Sequence, residues 1–140
     1  MKKIIALAML LTGFLGAGLV SARSATETAA AQEVVAPWLA MTDSAKYGES
    51  WDKGGAMMQA VVTKAQWEAA LAQVRTPLGA VKERTLTSAR FTKTLPGAPE
   101  GEYVVVTYAT SFENKPGMTE TVIPMKDKDG AWRVSGYFIK

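Results

Sequence analysis

Apolar residues in the first half of the chain recur at intervals of three and four, the spacing of one helical face. The first such group is Val34, Val35, Trp38 and Leu39. It predicts a helix that continues to Lys46, after an Ala-, Ser- and Thr-rich stretch at 23–32 that we expect to begin as a loose tether. Pro37 lies inside the pattern, and because proline lacks a backbone donor, the helix is expected to start or bend there.

Two further helical faces follow. Tyr47, Trp51 and Met58 form the second, which Gly54 and Gly55 weaken because glycine is a poor helix former. The third begins with a capping box, in which Thr63 and Gln66 satisfy each other's free backbone donors. Its apolar face consists of Trp67, Leu71, Val74 and Leu78. Pro77 and Gly79 are expected to end this helix.

Beyond Gly79 the chain becomes rich in β-branched and aromatic residues, which favour strands. Four strands are predicted, over 81–93, 102–112, 119–125 and 131–139. The turns between them, at 95–101, 113–117 and 126–130, contain the glycines, prolines and Asp-Gly step that tight turns need. One face of the second strand contains Val104, Val106, Tyr108 and Phe112, and one face of the fourth contains Trp132, Val134 and Phe138.

Pro124 does not fit a flat sheet, because a proline inside a strand belongs at an edge, an end or a bulge. Gly136 indicates a bend or bulge in the last strand. Helices followed by strands are typical of the α+β class. We therefore predict three N-terminal helices packed in a curved, four-stranded antiparallel sheet.

The N-terminus has the three parts of a secretory signal: the basic start Lys2-Lys3, an apolar run over 4–20, and the small residues Ser21 and Ala22. A permanent membrane anchor is the alternative, although the run is at the short limit of a span. We predict cleavage after Ala22. Residues 1–22 are then a signal peptide, and residues 23–140 are a single domain located in the periplasm or secreted.

Composition narrows the chemistry of this domain. The chain of 140 residues has no histidine and no cysteine, so disulfides, Ser-His or Cys-His nucleophiles and the usual zinc sites are excluded. No lipid-anchored lipoprotein is expected either, since that class needs a cysteine at the cleavage point. Phosphate loops and dinucleotide fingerprints are missing from the sequence. We predict neither a cofactor nor a metal.

The net charge of +3 includes Lys2 and Lys3, and without them the excess of basic residues falls to one. Nucleic-acid binding is not expected, because no basic stripe appears. The partner is expected to be a small molecule or a periplasmic protein. The membrane is involved only through the signal peptide during export.

Carboxylates on the predicted strands are the remaining candidates for catalysis: Glu83, Glu102 and Glu120. The simpler interpretation is that they face solvent and pair with Arg84, Arg90 and Arg133 on neighbouring strands.

Aromatic residues present a similar choice, because tryptophan and tyrosine serve as core anchors more often than as pocket walls. If the sheet encloses a pocket, the first candidates for its lining are Trp51, Arg75 and Glu120. Met57 and Met58, with the glycines beside them, form an alternative candidate, an adaptable contact patch.

Several segments, taken in order, resemble one bacterial family. They are Trp38-Leu39-Ala40 with Asp43, Ser50-Trp51-Asp52, Gln66-Trp67, Pro77-Leu78-Gly79, Leu95-Pro96-Gly97-Ala98-Pro99, Gly101-Glu102-Tyr103, Glu120-Thr121-Val122, and Asp129-Gly130 with Trp132-Arg133-Val134-Ser135-Gly136-Tyr137. Over about residues 29–140 the chain resembles the family called domain of unknown function 4019, and that resemblance implies no assigned function. The order of elements is also similar to the cones of nuclear-transport-factor-2-like and cystatin-like folds, an analogy that transfers no function.

Two functions remain open from the sequence. The first is a non-catalytic binding or interaction module outside the cytoplasm. The second is a small enzyme that uses a carboxylate or tyrosine inside the cone, which predicts a buried acid beside a cavity. The missing nucleophiles and metal ligands favour the first.

Overall fold

The computed structural model describes residues 15–140, and their side chains from Ser21 onward. In this part of the chain four helices precede four strands. They are α1 (Leu15–Asp43), α2 (Tyr47–Asp52), α3 (Ala56–Val61), α4 (Lys64–Leu78), β1 (Val81–Thr92), β2 (Tyr103–Phe112), β3 (Lys115–Lys126) and β4 (Trp132–Ile139). The strands form one antiparallel sheet in the order β1-β2-β3-β4. The predicted α+β class is confirmed, with four helices in place of three.

The extra helix arises because the second predicted helix is broken at Gly54 and Gly55 into α2 and α3. Gly55 donates its backbone N–H to the carbonyl of Val134 at 2.7 Å, which ties the break to β4. A Cβ at Gly55 would collide with the Ser135 hydroxyl. Glycine here leaves the space beside this backbone bond to the Ser135 side chain.

Helix α1 differs from its prediction at both ends. Residues 23–32 are helical, so the expected loose tether is wrong, and α1 begins well before Pro37, which lies inside it. The helix ends at Asp43, before Lys46. Ala45 adopts a left-handed backbone with φ of 58°, and the N–H of Lys46 returns to the carbonyl of Met41 at 2.8 Å, which closes the last turn.

Helix α4 begins with the predicted capping box. The Thr63 hydroxyl accepts from the Gln66 N–H at 3.2 Å, and the Gln66 side chain accepts from the Thr63 N–H at 2.9 Å. Its buried residues are Leu71 and Arg75, whereas Val74 is 45% exposed. The prediction that Val74 belongs to the buried face was wrong, because the next residue, Arg75, is the one that is buried.

Strand β4 contains a bulge at Ser135. Ile123 pairs with Gly136, but the next residue, Pro124, pairs with Val134. The extra residue exchanges the two faces of the strand beyond it. Tyr137 is therefore buried and Phe138 is 56% exposed, the reverse of the predicted alternation.

The bulge and a gap in the neighbouring ladder together accommodate Pro124. Between β2 and β3, the Tyr103–Met125 pair is followed by the Val106–Val122 pair. Ile123 and Pro124 therefore have no paired residue on β2. A proline inside a central strand is tolerated here because no ladder bond is required of it.

The third strand begins at Lys115, four residues earlier than predicted, so that the turn is reduced to Glu113 and Asn114. A register shift separates the Thr110–Met118 pair from the Phe112–Lys115 pair, and Gly117 between them has a φ of 72°. Two further shifts interrupt β1. Bulges of this kind increase the local twist of a sheet.

The core lies between the sheet and helices α1, α3 and α4. From the sheet it contains Val104, Val106, Val122, Trp132, Val134 and Tyr137, and from the helices Ala31, Val35, Trp38, Leu39, Met58 and Leu71. Among residues 15–140, no helix has the length and apolar character needed to cross a membrane.

Candidate functional site

Four charged side chains from four elements meet at one end of the core. Asp43 ends α1, Arg75 lies in the last turn of α4, Arg84 lies on β1 and Glu120 lies on β3. We call these four residues the charge network.

Arg84 lies at the centre of the charge network. Its Nη1 donates to Oδ2 of Asp43 at 2.8 Å, and its Nε donates to Oε1 of Glu120 at 2.7 Å. Arg75 reaches the same aspartate from the other side, with Nη2 2.9 Å from Oδ1 of Asp43. Two cations and two anions therefore balance within the network.

Glu120 is completely buried, and donors surround both of its carboxylate oxygens. The Thr110 hydroxyl donates to Oε1 at 2.6 Å and the Tyr137 hydroxyl donates to Oε2, in addition to the two bonds from Arg84. A buried carboxylate is tolerated when paired and hydrogen-bonded in this way. The arrangement leaves neither oxygen free for a substrate.

The surroundings shift the pKa values of two other groups, Asp43 and Tyr137, further from neutral pH. Burial raises the pKa of Asp43, but hydrogen bonds from Arg84 and Arg75 outweigh burial and hold it below the ordinary 3.8. Burial, together with the charge of Glu120, raises the pKa of the Tyr137 hydroxyl far above its ordinary 10. Asp43 therefore stays ionised and Tyr137 stays protonated at neutral pH, so neither exchanges a proton readily there.

The structure brings together two of the three residues that the sequence suggested for a pocket. Arg75 and Glu120 are both buried, and both contact the hydroxyl of Tyr137, at 3.4 Å in the case of Arg75 Nη1. Trp51 lies apart on α2, where its indole N–H donates to the carbonyl of Val62 at 3.0 Å. None of the three lines any of the cavities described below.

Glu120 pairs with Arg84, as the simpler interpretation of the sequence predicted. That interpretation also placed Glu120 in solvent, which is wrong, because the side chain is buried. Glu83 is exposed and Glu102 is partly exposed. Sequence reasoning did not identify Tyr137 as a partner of Glu120, since the bulge at Ser135 decides which way it points. Gly136 was the signal that a bulge was near.

A groove runs over the open edge of β4 and has a volume of about 300 Å³. One wall is formed by α3 and the start of α4, including Met57, Met58 and Val61. The other wall is the loop at 97–99, and the floor is β4 at 135–138. We call this cavity the edge groove.

The edge groove is apolar and accessible. It has no charged residue in its lining. Val61 on one wall is 75% exposed and Phe138 on the floor is 56% exposed. The methionine pair that the sequence suggested as a contact patch is part of this groove, whereas Val61 and Phe138 were not anticipated.

A second groove of about 390 Å³ lies between α1 and β4. Its lining includes Pro37, Trp38 and Trp132, together with the charged residues Glu33, Lys53 and Arg133. Both indole N–H groups are occupied, by the carbonyl of Ser50 at 2.9 Å and the carboxylate of Glu27 at 3.1 Å. Both tryptophans are otherwise buried in the core, at 2% and 8% exposure.

A third groove of about 610 Å³ continues from the edge groove at Met57 and Pro99 towards the β3–β4 turn. Arg133 at that end is held by Asp127 and Asp129, at 2.9 and 2.8 Å. In the described part of the chain, no three acidic side chains are grouped closely enough to hold a metal ion.

Comparison with known families identifies the chain. The family model described as a protein of unknown function, DUF4019, matches residues 34–137, which cover most of the sequence. The chain belongs to this family. No curated protein and no solved structure matches it.

Proposed function

We propose that this member of the DUF4019 family is an exported, non-catalytic module that binds another protein through the edge groove. The observation that carries the proposal is the grouping of Val61, Phe138, Met57 and Met58 around one uncharged groove. Apolar surface that remains accessible at one place is typical of protein contact sites. The partly exposed Met57 suits such a site because methionine adapts its shape to a partner, whereas Met58 is buried.

The charge network supports a non-catalytic role. An enzyme with its site inside the cone would need a reactive carboxylate open to a cavity. Glu120 is buried as that alternative requires, but donors from Arg84, Thr110 and Tyr137 occupy its oxygens. The interior is arranged to hold the elements together rather than to receive a substrate.

Export is the part of the proposal that rests on the sequence. The basic start, apolar run and small residues before Arg23 are those of a cleavable signal. The periplasm, or the medium beyond it, is the proposed location.

Small-molecule binding is a second candidate function, favoured by the groove between α1 and β4. Its volume of about 390 Å³ lies within the usual range for ligand sites, and two indoles contribute to its lining. Charged residues of both signs also line it, Glu33, Lys53 and Arg133, so the lining does not select the charge of a ligand.

Site-specific photo-crosslinking in living cells tests the protein-binding proposal. p-Benzoylphenylalanine in place of Phe138 is expected to give a covalent adduct of discrete mass, because this position lies in the groove and is exposed. A second change on the α3 wall, Val61→Asp, is expected to reduce the adduct at least about tenfold by placing a charge against apolar surface.

The matched control places the same photoreactive residue at Leu86, which is 49% exposed on β1 at the opposite edge of the sheet. Equal adducts at positions 86 and 138, or an adduct at 138 that persists with Val61→Asp, would contradict the proposal.

A further inference from the structure

We infer that the partner enters the edge groove as an extended, uncharged segment that adds a fifth strand to the sheet beside β4, at Tyr137 and Ile139. The inference rests on the proposed function and specifies the shape and chemistry of what binds there. Strand addition to an open sheet edge is a general mode of peptide recognition.

The hydrogen-bonding pattern of β4 shows which backbone groups point away from β3. Thr119 and Lys140 exchange both of their backbone bonds, each 2.9 Å long. Because bonded and non-bonded pairs alternate in an antiparallel ladder, Phe138 faces β3, and the N–H and C=O groups of Tyr137 and Ile139 face outward. An incoming strand therefore finds two donors and two acceptors in line.

The rest of the sheet perimeter is protected against such pairing. The carbonyl of Val134, which also points outward, already accepts from Gly55, so the first half of β4 is covered by α3. The opposite edge, β1, has two register shifts and exposed charges at Lys82, Glu83 and Arg90. Bulges and charges are the usual means of blocking an edge. The segment at 136–139 has neither.

The shape and charge of the edge groove indicate the occupant. Its lining includes Tyr137, whose side chain enters the core, and Phe138, whose side chain is on the outer face, so the cavity passes over the strand edge itself. Residues of α3 and of the loop at 97–99 line the same cavity. The lining carries no charge and extends along β4 as far as Phe138, the residue between Tyr137 and Ile139. A segment of a partner protein with apolar side chains fits this lining. A second copy of this chain would have to pair through the edge of its own sheet, with the rest of that sheet attached.

The test uses residues 23–140, which contain every buried residue of the described chain. The probe is a phage library of random linear heptapeptides. Selected peptides are expected to be extended and apolar at alternate positions. On binding, they are expected to slow hydrogen exchange at the amides of Tyr137 and Ile139, with no change along β1.

Ile139→Pro is the decisive variant. It removes an outward N–H without removing a bond to β3, and is expected to weaken peptide binding about tenfold, the effect of one lost hydrogen bond. Ile139→Ala is the matched control, because it keeps the N–H, and is expected to change affinity less than about threefold. If Ile139→Pro disturbs the fold, N-methylating alternate residues of the peptide tests the same bonds from the other side.

The outcomes separate this inference from the proposed function. If Val61→Asp abolishes binding but Ile139→Pro and the N-methylated peptides do not, strand addition is wrong and the groove remains the binding surface. No enriched peptide, or protection confined to the groove between α1 and β4, would overturn strand addition. A dimer of residues 23–140 with protected amides at 137 and 139 would show that a second copy of the chain, and not a partner segment, pairs with this edge, and would overturn the inferred occupant.

Discussion

Arg84 shows how one side chain connects distant parts of this fold. It bonds Asp43 on α1 and Glu120 on β3 while lying on β1. Arg75 completes the charge network from α4, and its guanidinium also lies 5.1 Å from the ring centre of Phe112. Removing one member of such a buried group leaves the others unpaired, which costs more than the interaction itself contributes.

Glu120→Gln tests this argument at the level of one residue. The amide keeps the size of the side chain but removes its charge, so Arg84 loses one of its two anionic partners. We expect the free energy of unfolding to fall by about 3 kcal/mol, as found when a buried ion pair is broken. Urea denaturation followed by tryptophan fluorescence measures it.

Glu83→Gln is the control for that experiment, because Glu83 is an exposed glutamate on β1 beside Arg84. It is expected to change stability by less than about 0.5 kcal/mol. A loss from Glu120→Gln as small as that of the control would show that the buried pair contributes little.

At the scale of elements, short connections determine where the groove forms. α3 is held against β4 by the bond from Gly55 to Val134, and α4 follows after only two residues, Val62 and Thr63. The bulge at Ser135 then places Phe138 on the outer face. A break in a helix and an extra residue in a strand together create the walls and floor of the edge groove.

The start of α4 provides the prediction at this scale. Thr63→Ala removes the hydroxyl that accepts from the Gln66 N–H and is expected to destabilise the domain by about 1 kcal/mol. Thr63→Ser keeps the acceptor and is expected to stay close to the natural protein. Thermal unfolding measured by circular dichroism compares the natural protein with the two variants. Equal melting temperatures for the alanine and serine variants would mean that the capping box contributes nothing.

The whole molecule depends on one apolar core and one charge network, since it has no cysteine. Where side chains are described, the buried apolar residues begin at Ala31 and end at Tyr137. The predicted cleavage after Ala22 would leave all of these residues in the domain.

Export itself is tested on the complete chain. We expect the protein recovered outside the cytoplasm to begin at Arg23, as measured by intact mass. Ala22→Trp is expected to block processing, because the cleavage site requires a small residue. Ala29→Trp, at an exposed position beyond the site, is the control and is expected to be processed normally. An exported product that still begins at Met1 would favour the anchor alternative.

The sequence alone determined the order of helices and strands, the capping box of α4 and the approximate strand bounds, because these depend on residues that are close along the chain. It also identified Arg75, Glu120 and the methionine pair as candidates, while Trp51 proved to lie apart from the charge network. Only the tertiary structure decided that Glu120 is buried, that Tyr137 points inward and that Phe138 points outward. Those outcomes depend on the bulge at Ser135 and on pairing between residues far apart in sequence, and local patterns do not encode either.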